Sequence, residues 1–165
     1  MSAEDNKTIV RRVTEEGLNQ HDPALVDELC AANVVFHDGS RTVQELQTYK
    51  RFLLKFFTAF PDAHFTTEEL IAEGDTVVVH RTFRGTHTGS FMGIPPTGKQ
   101  VTTTVMTINR FADGKIVEVW NNTDDLDLLQ QLGVIPAVFG GVFLAGLATG
   151  VGLIVLVRKV LKSRE

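Results

Sequence analysis

The spacing of apolar residues in the first third of the chain predicts three helices. Residues 4–20 form an amphipathic pattern that His21-Asp22-Pro23 interrupts, and residues 23–32 form a second, shorter one. Residues 34–37 look extended, and a third helix begins at Arg41 or Thr42 and ends at Pro61. Its inner side is expected to be aromatic and is lined by Tyr49, Phe52, Phe56, Phe57 and Phe60.

The pattern changes after Pro61 from helical spacing to alternation. Strands are predicted over residues 64–72, 76–84, 101–111 and 116–122, with a hairpin turn at Asp113-Gly114 between the last two. A short helix over residues 123–131 follows and ends at Gly133. These elements predict an α+β fold, with three N-terminal helices on one face of a curved antiparallel sheet. We expect an internal cavity between the concave face and the aromatic helix.

The last part of the chain has a different composition. Residues 134–157 carry no charge, and their only polar side chain is Thr149. A helix of that length spans the roughly 30 Å hydrocarbon core of a bilayer with some tilt. We therefore divide the chain into a folded domain (1–133), a transmembrane helix (134–157) and a basic tail (158–165).

Small residues within this predicted helix suggest a second helix as a neighbour. Gly146 and Gly150 have the spacing that lets two membrane helices approach closely. The alternative is that these small residues face lipid and contact no second helix. Residues 1–20 are polar and show no signal peptide, which favours a single-pass, C-terminally anchored protein with its soluble domain in the cytoplasm. The basic tail argues for the opposite orientation, with the C-terminus in the cytoplasm.

Charge and cysteine content exclude several classes of protein. Residues 1–133 contain 12 Lys and Arg against 19 Asp and Glu, which argues against nucleic-acid binding. Cys30 is the only cysteine, so a disulfide framework and a multi-cysteine metal site are excluded. No two histidines have ligand spacing, and we expect neither a metal nor a cofactor.

Six segments of the domain carry a resemblance to a known family. They are Asn6-Lys7-Thr8-Ile9-Val10-Arg11-Arg12, Phe60-Pro61-Asp62, Phe83-Arg84-Gly85-Thr86-His87-Thr88-Gly89, Met92-Gly93-Ile94-Pro95-Pro96-Thr97-Gly98, Asp113-Gly114-Lys115-Ile116-Val117-Glu118 and Leu128-Leu129-Gln130-Gln131-Leu132-Gly133. With these motifs, residues 5–133 resemble the SnoaL-like polyketide cyclase, or ester cyclase, family of the NTF2-like superfamily.

The resemblance implies a cone-shaped domain, a homodimer or larger homo-oligomer, and a cofactor-free intramolecular aldol condensation. In that family an aspartate on the last strand takes the proton and two histidines assist. The position that matches the aspartate is Asn121, and the positions that match the histidines are Thr107 and Val119. A neutral amide cannot serve as a general base at physiological pH, so the resemblance supports the fold more strongly than the activity.

Alternation along the strands gives a set of candidate ligand-binding residues. Thr103, Val105, Thr107 and Asn109 share one strand face, and an inward Asn121 would bring Val119 with it. Such a wall suits a mostly apolar ligand. The candidates are His37, Tyr49, Val105, Thr107 and Asn121.

Other polar residues have competing interpretations. Only one of His80 and Arg81 can face inward, and an inward Arg81 would need a carboxylate or an anionic ligand. His87 is expected to fix the glycine-rich loop rather than take part in catalysis. Trp120 is expected on the outer face, at a subunit contact.

Two functions remain. The first is a membrane-anchored module that binds an apolar small molecule, or serves as an accessory or scaffold subunit of a membrane assembly, with the catalytic positions lost. Its partners would be membrane lipid and either a second copy or another membrane protein, through the glycine-rich helix. The alternative is a cofactor-free cyclase, isomerase or hydrolase that acts on a hydrophobic carbonyl substrate.

Overall fold

The structure is a computed structural model that describes residues 2–39 and 41–135. It contains four α-helices, a π-helical segment and six strands in the described part of the chain. The helices are α1 (Ala3–Arg12), α2 (Leu25–Leu29), α3 (Leu46–Ala59) and α4 (Asp125–Leu132), and Val13–Leu18 continues α1 as a π-helix. The strands are β1 (Cys30–Asp38), β2 (Arg41–Gln44), β3 (His64–Glu73), β4 (Thr76–Thr86), β5 (Gln100–Ala112) and β6 (Lys115–Thr123).

The six strands form one mixed sheet in the order β2-β1-β6-β5-β4-β3. Strands β3 to β6 make the antiparallel meander that the alternation predicts. Strand β1 runs parallel to β6, with Phe36 opposite Val119 and Asp38 opposite Asn121. The expectation of an entirely antiparallel sheet that follows three helices is therefore wrong, because two strands precede α3.

Two predicted helix boundaries also need correction. The second helix ends at Leu29, and Cys30 already belongs to β1. The third helix begins at Leu46, and the preceding residues 41–44 pair with β1 as strand β2. Glu45 has a φ of 89°, which separates the strand from the helix. Local apolar spacing does not reveal either boundary, because the partner that makes these residues extended lies elsewhere in the chain.

The ends of the first and last helices follow local rules. The Ser2 side chain accepts a hydrogen bond from the Asp5 N–H, and the Asp5 carboxylate accepts one from the Ser2 N–H. At α4, the side chain of Asp124 accepts from the Asp127 N–H, and Gly133 adopts the left-handed conformation with a φ of 76°. The predicted end of this helix at Gly133 is confirmed.

Alternation along β5 places one row of side chains against the helices. Val101, Thr103, Val105, Thr107, Asn109 and Phe111 are buried, whereas the residues between them are exposed. Phe36, Leu53, Phe57, Val79 and Val119 belong to one buried cluster between this concave face and the helices. A second buried cluster of Phe60, Phe65, Phe83, Phe91 and Leu128 occupies the neighbouring part of the domain.

The predicted membrane helix (134–157) and basic tail (158–165) lie, apart from Val134 and Ile135, outside the described residues. Among the residues that the structure does describe, no helix is both long enough and apolar enough to cross a bilayer.

Candidate active site on the concave sheet face

Four polar side chains lie in a row across the concave face, one on each of four adjacent strands. They are Arg81 on β4, Thr107 on β5, Asn121 on β6 and Asp38 on β1, and we call them the polar row. Thr107 is opposite Asn121, and Asn121 is opposite Asp38. The row crosses a wall that is otherwise apolar.

Arg81 is the buried end of the polar row. Only 4% of the residue is exposed, and alternation along β4 points it inward while His80 faces outward. Its Nε donates to Thr14 Oγ1 at 2.8 Å and its Nη1 donates to Thr107 Oγ1 at 3.1 Å. Burial lowers the pKa of Arg81 to about 10, so the guanidinium still carries its charge near neutral pH.

Thr14 is held for this role by the π-helical segment. Its hydroxyl donates to the Val10 carbonyl oxygen at 3.2 Å, which leaves the hydroxyl oxygen free to accept from Arg81. Only 1% of Thr14 is exposed. Insertions of this π type occur often at functional sites, where they place a side chain that a regular helix would turn away.

Asn121 lies in the middle of the row and is partly buried. Its Nδ2 donates to Asp38 Oδ1 at 3.0 Å and to Thr123 Oγ1 at 3.2 Å. The carboxylate that position 121 lacks is thus present on the neighbouring strand. Burial raises the pKa of Asp125, at the start of α4, and the charges of Asp38 and Asp124 add to that shift.

The other concave-face candidates surround this row. Val105 and Val119 are buried in the apolar wall, and Thr107 is buried beneath Arg81. Tyr49 reaches the wall from α3 and stacks on Phe36, with ring centroids 3.7 Å apart. Burial raises the pKa of the Tyr49 hydroxyl, and the positive charge of Arg81 acts in the opposite direction.

His37 does not belong to the polar row, and its role in ligand binding stays a prediction. Phe36 faces inward, so His37 faces the convex side of the sheet. There its Nε2 lies 2.9 Å from Glu118 Oε1, and its ring stacks on Trp120 at 5.2 Å between centroids. Trp120 is on the outer face as expected. Arg110 completes the group through an ion pair with Glu118.

His87 is fully buried in the glycine-rich loop. Its N–H donates to the Lys99 carbonyl, its carbonyl accepts from the Gly98 N–H, and its Nδ1 lies 3.2 Å from Thr97 Oγ1. Burial lowers the pKa of its imidazole. These contacts close the loop between β4 and β5, which agrees with a loop-fixing role.

Two of the clefts on the described surface are lined by residues outside the polar row. One of about 390 Å³ is lined by His80, Thr104, Met106, Asn122, Thr123 and Asp124. The other, of about 170 Å³, is lined by Asn6, Phe111 and residues of the two adjacent hairpin turns. The buried cluster lies between the concave face and the helices, where the sequence predicts an internal cavity.

Within residues 2–39 and 41–135, no three His, Cys, Asp or Glu side chains are grouped as metal ligands would be. The buried Cys30 has its pKa raised to about 12 by burial, which keeps the thiol protonated and poorly nucleophilic.

Two residues of the site, Thr14 and Asp38, are not among the residues predicted from the sequence. Thr14 could have been predicted, because it is a polar residue four positions after the buried Val10 in an amphipathic pattern. Asp38 could not have been predicted from local sequence, because its place beside Asn121 depends on the parallel pairing of β1 with β6.

Comparison with known families agrees with this architecture. The family model described as SnoaL-like polyketide cyclase matches residues 8–132. No curated protein sequence matches the chain.

Several solved structures share the fold. AclR, a candidate hydroxylase from Streptomyces galilaeus, is 28% identical over 82% of this chain and all of its own, with a TM-score of 0.74. A candidate SnoaL-like polyketide cyclase from a Jannaschia species is 26% identical over 81% of this chain and 95% of its own, with a TM-score of 0.76. IdmH, a candidate polyketide cyclase from Streptomyces antibioticus, is 29% identical over 77% of this chain and 97% of its own, with a TM-score of 0.67.

Proposed function

This chain belongs to the SnoaL-like polyketide cyclase family, and from that premise we propose that its concave sheet face binds a small, mostly apolar molecule. The polar row carries the proposal, because it places a few directed hydrogen-bonding groups in a wall of valines and aromatic rings. Such a combination is typical of small-molecule sites.

The proposed role of the domain is binding rather than the family's aldol chemistry. Asn121 stands where the resemblance expects the proton-accepting aspartate, and its amide donates a hydrogen bond to Asp38. An amide that donates in this way can orient a ligand or a water molecule but does not accept a proton near neutral pH. The domain then serves as a ligand-holding or accessory subunit.

Binding is tested with 2-naphthamide, an uncharged aromatic probe, added to the purified full-length protein while its fluorescence is recorded. We expect saturable binding that Asn121→Trp weakens by about tenfold or more, because the indole fills the partly buried space beside the row. Asn122→Trp is the matched control, because the neighbouring residue is exposed. Equal effects of the two variants, or absence of binding by both 2-naphthamide and its charged analogue 2-naphthoate, would overturn the proposal.

One observation favours an enzyme as the second candidate. The Asp38 carboxylate lies 3.0 Å from the Asn121 amide, so a base is available on the adjacent strand. In that case Asp38 would remove the proton next to the carbonyl of a hydrophobic substrate, without metal or cofactor.

The two candidates differ in a simple exchange experiment. The α-protons of 2-tetralone exchange in heavy water when a base enolises the ketone, and proton NMR follows the loss of signal. An enzyme would accelerate the exchange above buffer, Asp38→Asn would abolish the acceleration and Asp75→Asn would not. A binding module gives the buffer rate in all three cases.

We also propose that residues 134–157 anchor the domain to a membrane. The support is the length of the uncharged run and the basic residues from Arg158 onward. Alkaline carbonate extraction of membranes tests it: the full chain should stay in the pellet, and a chain that ends at Gly133 should not. Release of the full chain would contradict the anchor.

A homo-oligomer is a further part of the proposal, and it rests on the family resemblance and on Gly146 and Gly150. Light scattering after size exclusion gives the subunit number with and without residues 134–165. An oligomer in both forms assigns assembly to the folded domain, and one that needs the tail assigns it to the helix. Monomers in both forms would contradict it.

A further inference from the structure

The charge of Arg81 has no counter-ion in the described part of the chain. No Asp or Glu oxygen there lies within 4.0 Å of its guanidinium, and its two hydrogen-bond partners are the neutral hydroxyls of Thr14 and Thr107. An arginine that is 96% buried normally pairs with a carboxylate, because an isolated charge loses its hydration without compensation. Hydroxyl groups replace only part of that hydration.

The unused N–H groups of Arg81 also indicate that a binding partner is missing. A guanidinium has five N–H groups, and the two threonines use one on Nε and one on Nη1. Within residues 2–39 and 41–135, Nη2 donates to no protein group. The threonines also fix the plane of the guanidinium, so the remaining N–H groups have a defined direction on the concave face.

The polar row does not provide the missing anion from its far end. Asp38 is on β1, three strands away from β4 in the order of the sheet. Its carboxylate is exposed and already accepts from Asn121. Arg81 and Asp38 therefore do not form an ion pair, and the row does not balance the charge of Arg81.

We propose that Arg81 anchors the acidic group of the ligand, and that this group is a carboxylate or a similarly compact monoanion. The inference rests on the proposed function, because it specifies the ligand of the same concave face. One buried guanidinium balances one negative charge, and its planar N–H pairs match the two oxygens of a carboxylate. A dianionic phosphate would leave one charge uncompensated among valines and aromatic rings.

The test compares two probes that differ only in this group: 2-naphthoate, which carries the carboxylate, and 2-naphthamide, which is uncharged and nearly the same shape. Both are titrated into the full-length protein near neutral pH, with protein-free solution as the blank. We expect 2-naphthoate to bind about tenfold more tightly or better, as a charge-assisted pair in a water-poor site does.

Two substitutions connect that preference with the residue. Arg81→Met keeps the length of the side chain and removes the charge, and we expect the two probes to bind it equally. Arg81→Lys keeps the charge as a single ammonium, and we expect a preference for 2-naphthoate that is several-fold smaller than in the native protein. His80→Met is the matched control on the outward-facing neighbour and should leave the preference unchanged.

The outcomes separate this inference from the proposed function. Equal binding of the two probes by the native protein, or a preference that Arg81→Met retains, overturns the acid anchor while the binding site stands. Absence of binding by both probes overturns the proposed function itself. If Arg81→Met does not fold, the comparison of the probes on the native protein and on Arg81→Lys still decides the question.

Discussion

Asp38 and Asn121 lie directly opposite each other on the parallel strands β1 and β6, and the Asn121 amide donates to the Asp38 carboxylate at 3.0 Å. A carboxylate at position 121, as the family resemblance implies, would face another carboxylate at this distance. The amide removes that repulsion and converts the pair into a hydrogen bond. The amide at position 121 and the carboxylate of Asp38 are therefore chemically complementary.

Restoring the carboxylate should destabilise the protein in a pH-dependent way. In Asn121→Asp two like charges meet, so the folded state raises a carboxyl pKa above its unfolded value. The free energy of unfolding should then fall by about 1 kcal/mol near neutral pH, after allowance for the exposure of Asp38. The loss should shrink as pH falls towards about 4, where one carboxyl is protonated.

Denaturant unfolding at several pH values measures this effect. Asn122→Asp is the control, because that side chain is exposed on the other face of β6. A pH-independent loss in Asn121→Asp, or the same loss in both variants, would show that Asp38 and residue 121 do not interact as described.

Asp62 connects the Phe60-Pro61-Asp62 motif with the start of the glycine-rich loop. Its carboxylate accepts from the Thr86 N–H and the Thr86 hydroxyl, both at 2.6 Å, and these bonds lower the pKa of Asp62. Its contribution to stability is therefore present above the unfolded pKa of about 4 and is lost as pH falls through the folded value.

Asp62→Ala should cost about 1 kcal/mol near neutral pH, since the carboxylate is largely exposed and its bonds are screened. The difference in unfolding free energy between Asp62→Ala and the native protein should become smaller as the pH falls. Asp75→Ala is the comparison, because Asp75 accepts from the neighbouring Thr76 hydroxyl in an exposed turn. A cost that stays constant down to acidic pH would rule out the carboxylate as its source.

Close packing against α3 requires glycine at position 89. A Cβ there would lie 2.5 Å from the Thr58 carbonyl oxygen and 2.9 Å from the Ala59 Cα, and both are backbone atoms that cannot turn aside. Gly89→Ala should cost about 2 kcal/mol in unfolding free energy.

Gly17 provides the matched control for that substitution. A Cβ at Gly17 would have its nearest contact at 3.5 Å, with the flexible Leu25 side chain. Gly17→Ala should be neutral or stabilise by up to about 1 kcal/mol, because alanine lowers the entropy of the unfolded chain. Similar effects of the two alanines would show that the loop does not approach α3 this closely.

The folded domain should not depend on the chain beyond Gly133. Leu128 and Leu132 are buried, and Gly133 closes α4 through bonds to the carbonyls of Leu129 and Gln130. A chain that ends at Gly133 should unfold cooperatively, with a midpoint close to that of the full chain in calorimetry. Aggregation, or a broad transition, would mean that the tail takes part in the core.

Local patterns were sufficient for much of this fold. The alternation in residues 101–111 identified the buried face of β5, and Asp113-Gly114 identified the hairpin because the turn needs positive φ at both positions, as observed at 48° and 78°. These features depend on residues close together in sequence.

Local patterns do not decide the structure where distant strands pair. Residues 41–44 are extended because they pair with β1, and His37 faces outward because the register of β1 against β6 sets which face is buried. The inward direction of Arg81 also depends on strand pairing, because alternation alone does not decide whether His80 or Arg81 faces inward.

A crystal structure with bound 2-naphthoate is the decisive test of a ligand site at the buried end of the polar row. We predict that the naphthalene ring lies between the concave face and α3, with its carboxylate about 3 Å from the Arg81 guanidinium. A probe seated instead in the outward-facing cleft beside His80 and Met106, with Arg81 still bonded to the threonines alone, would contradict it.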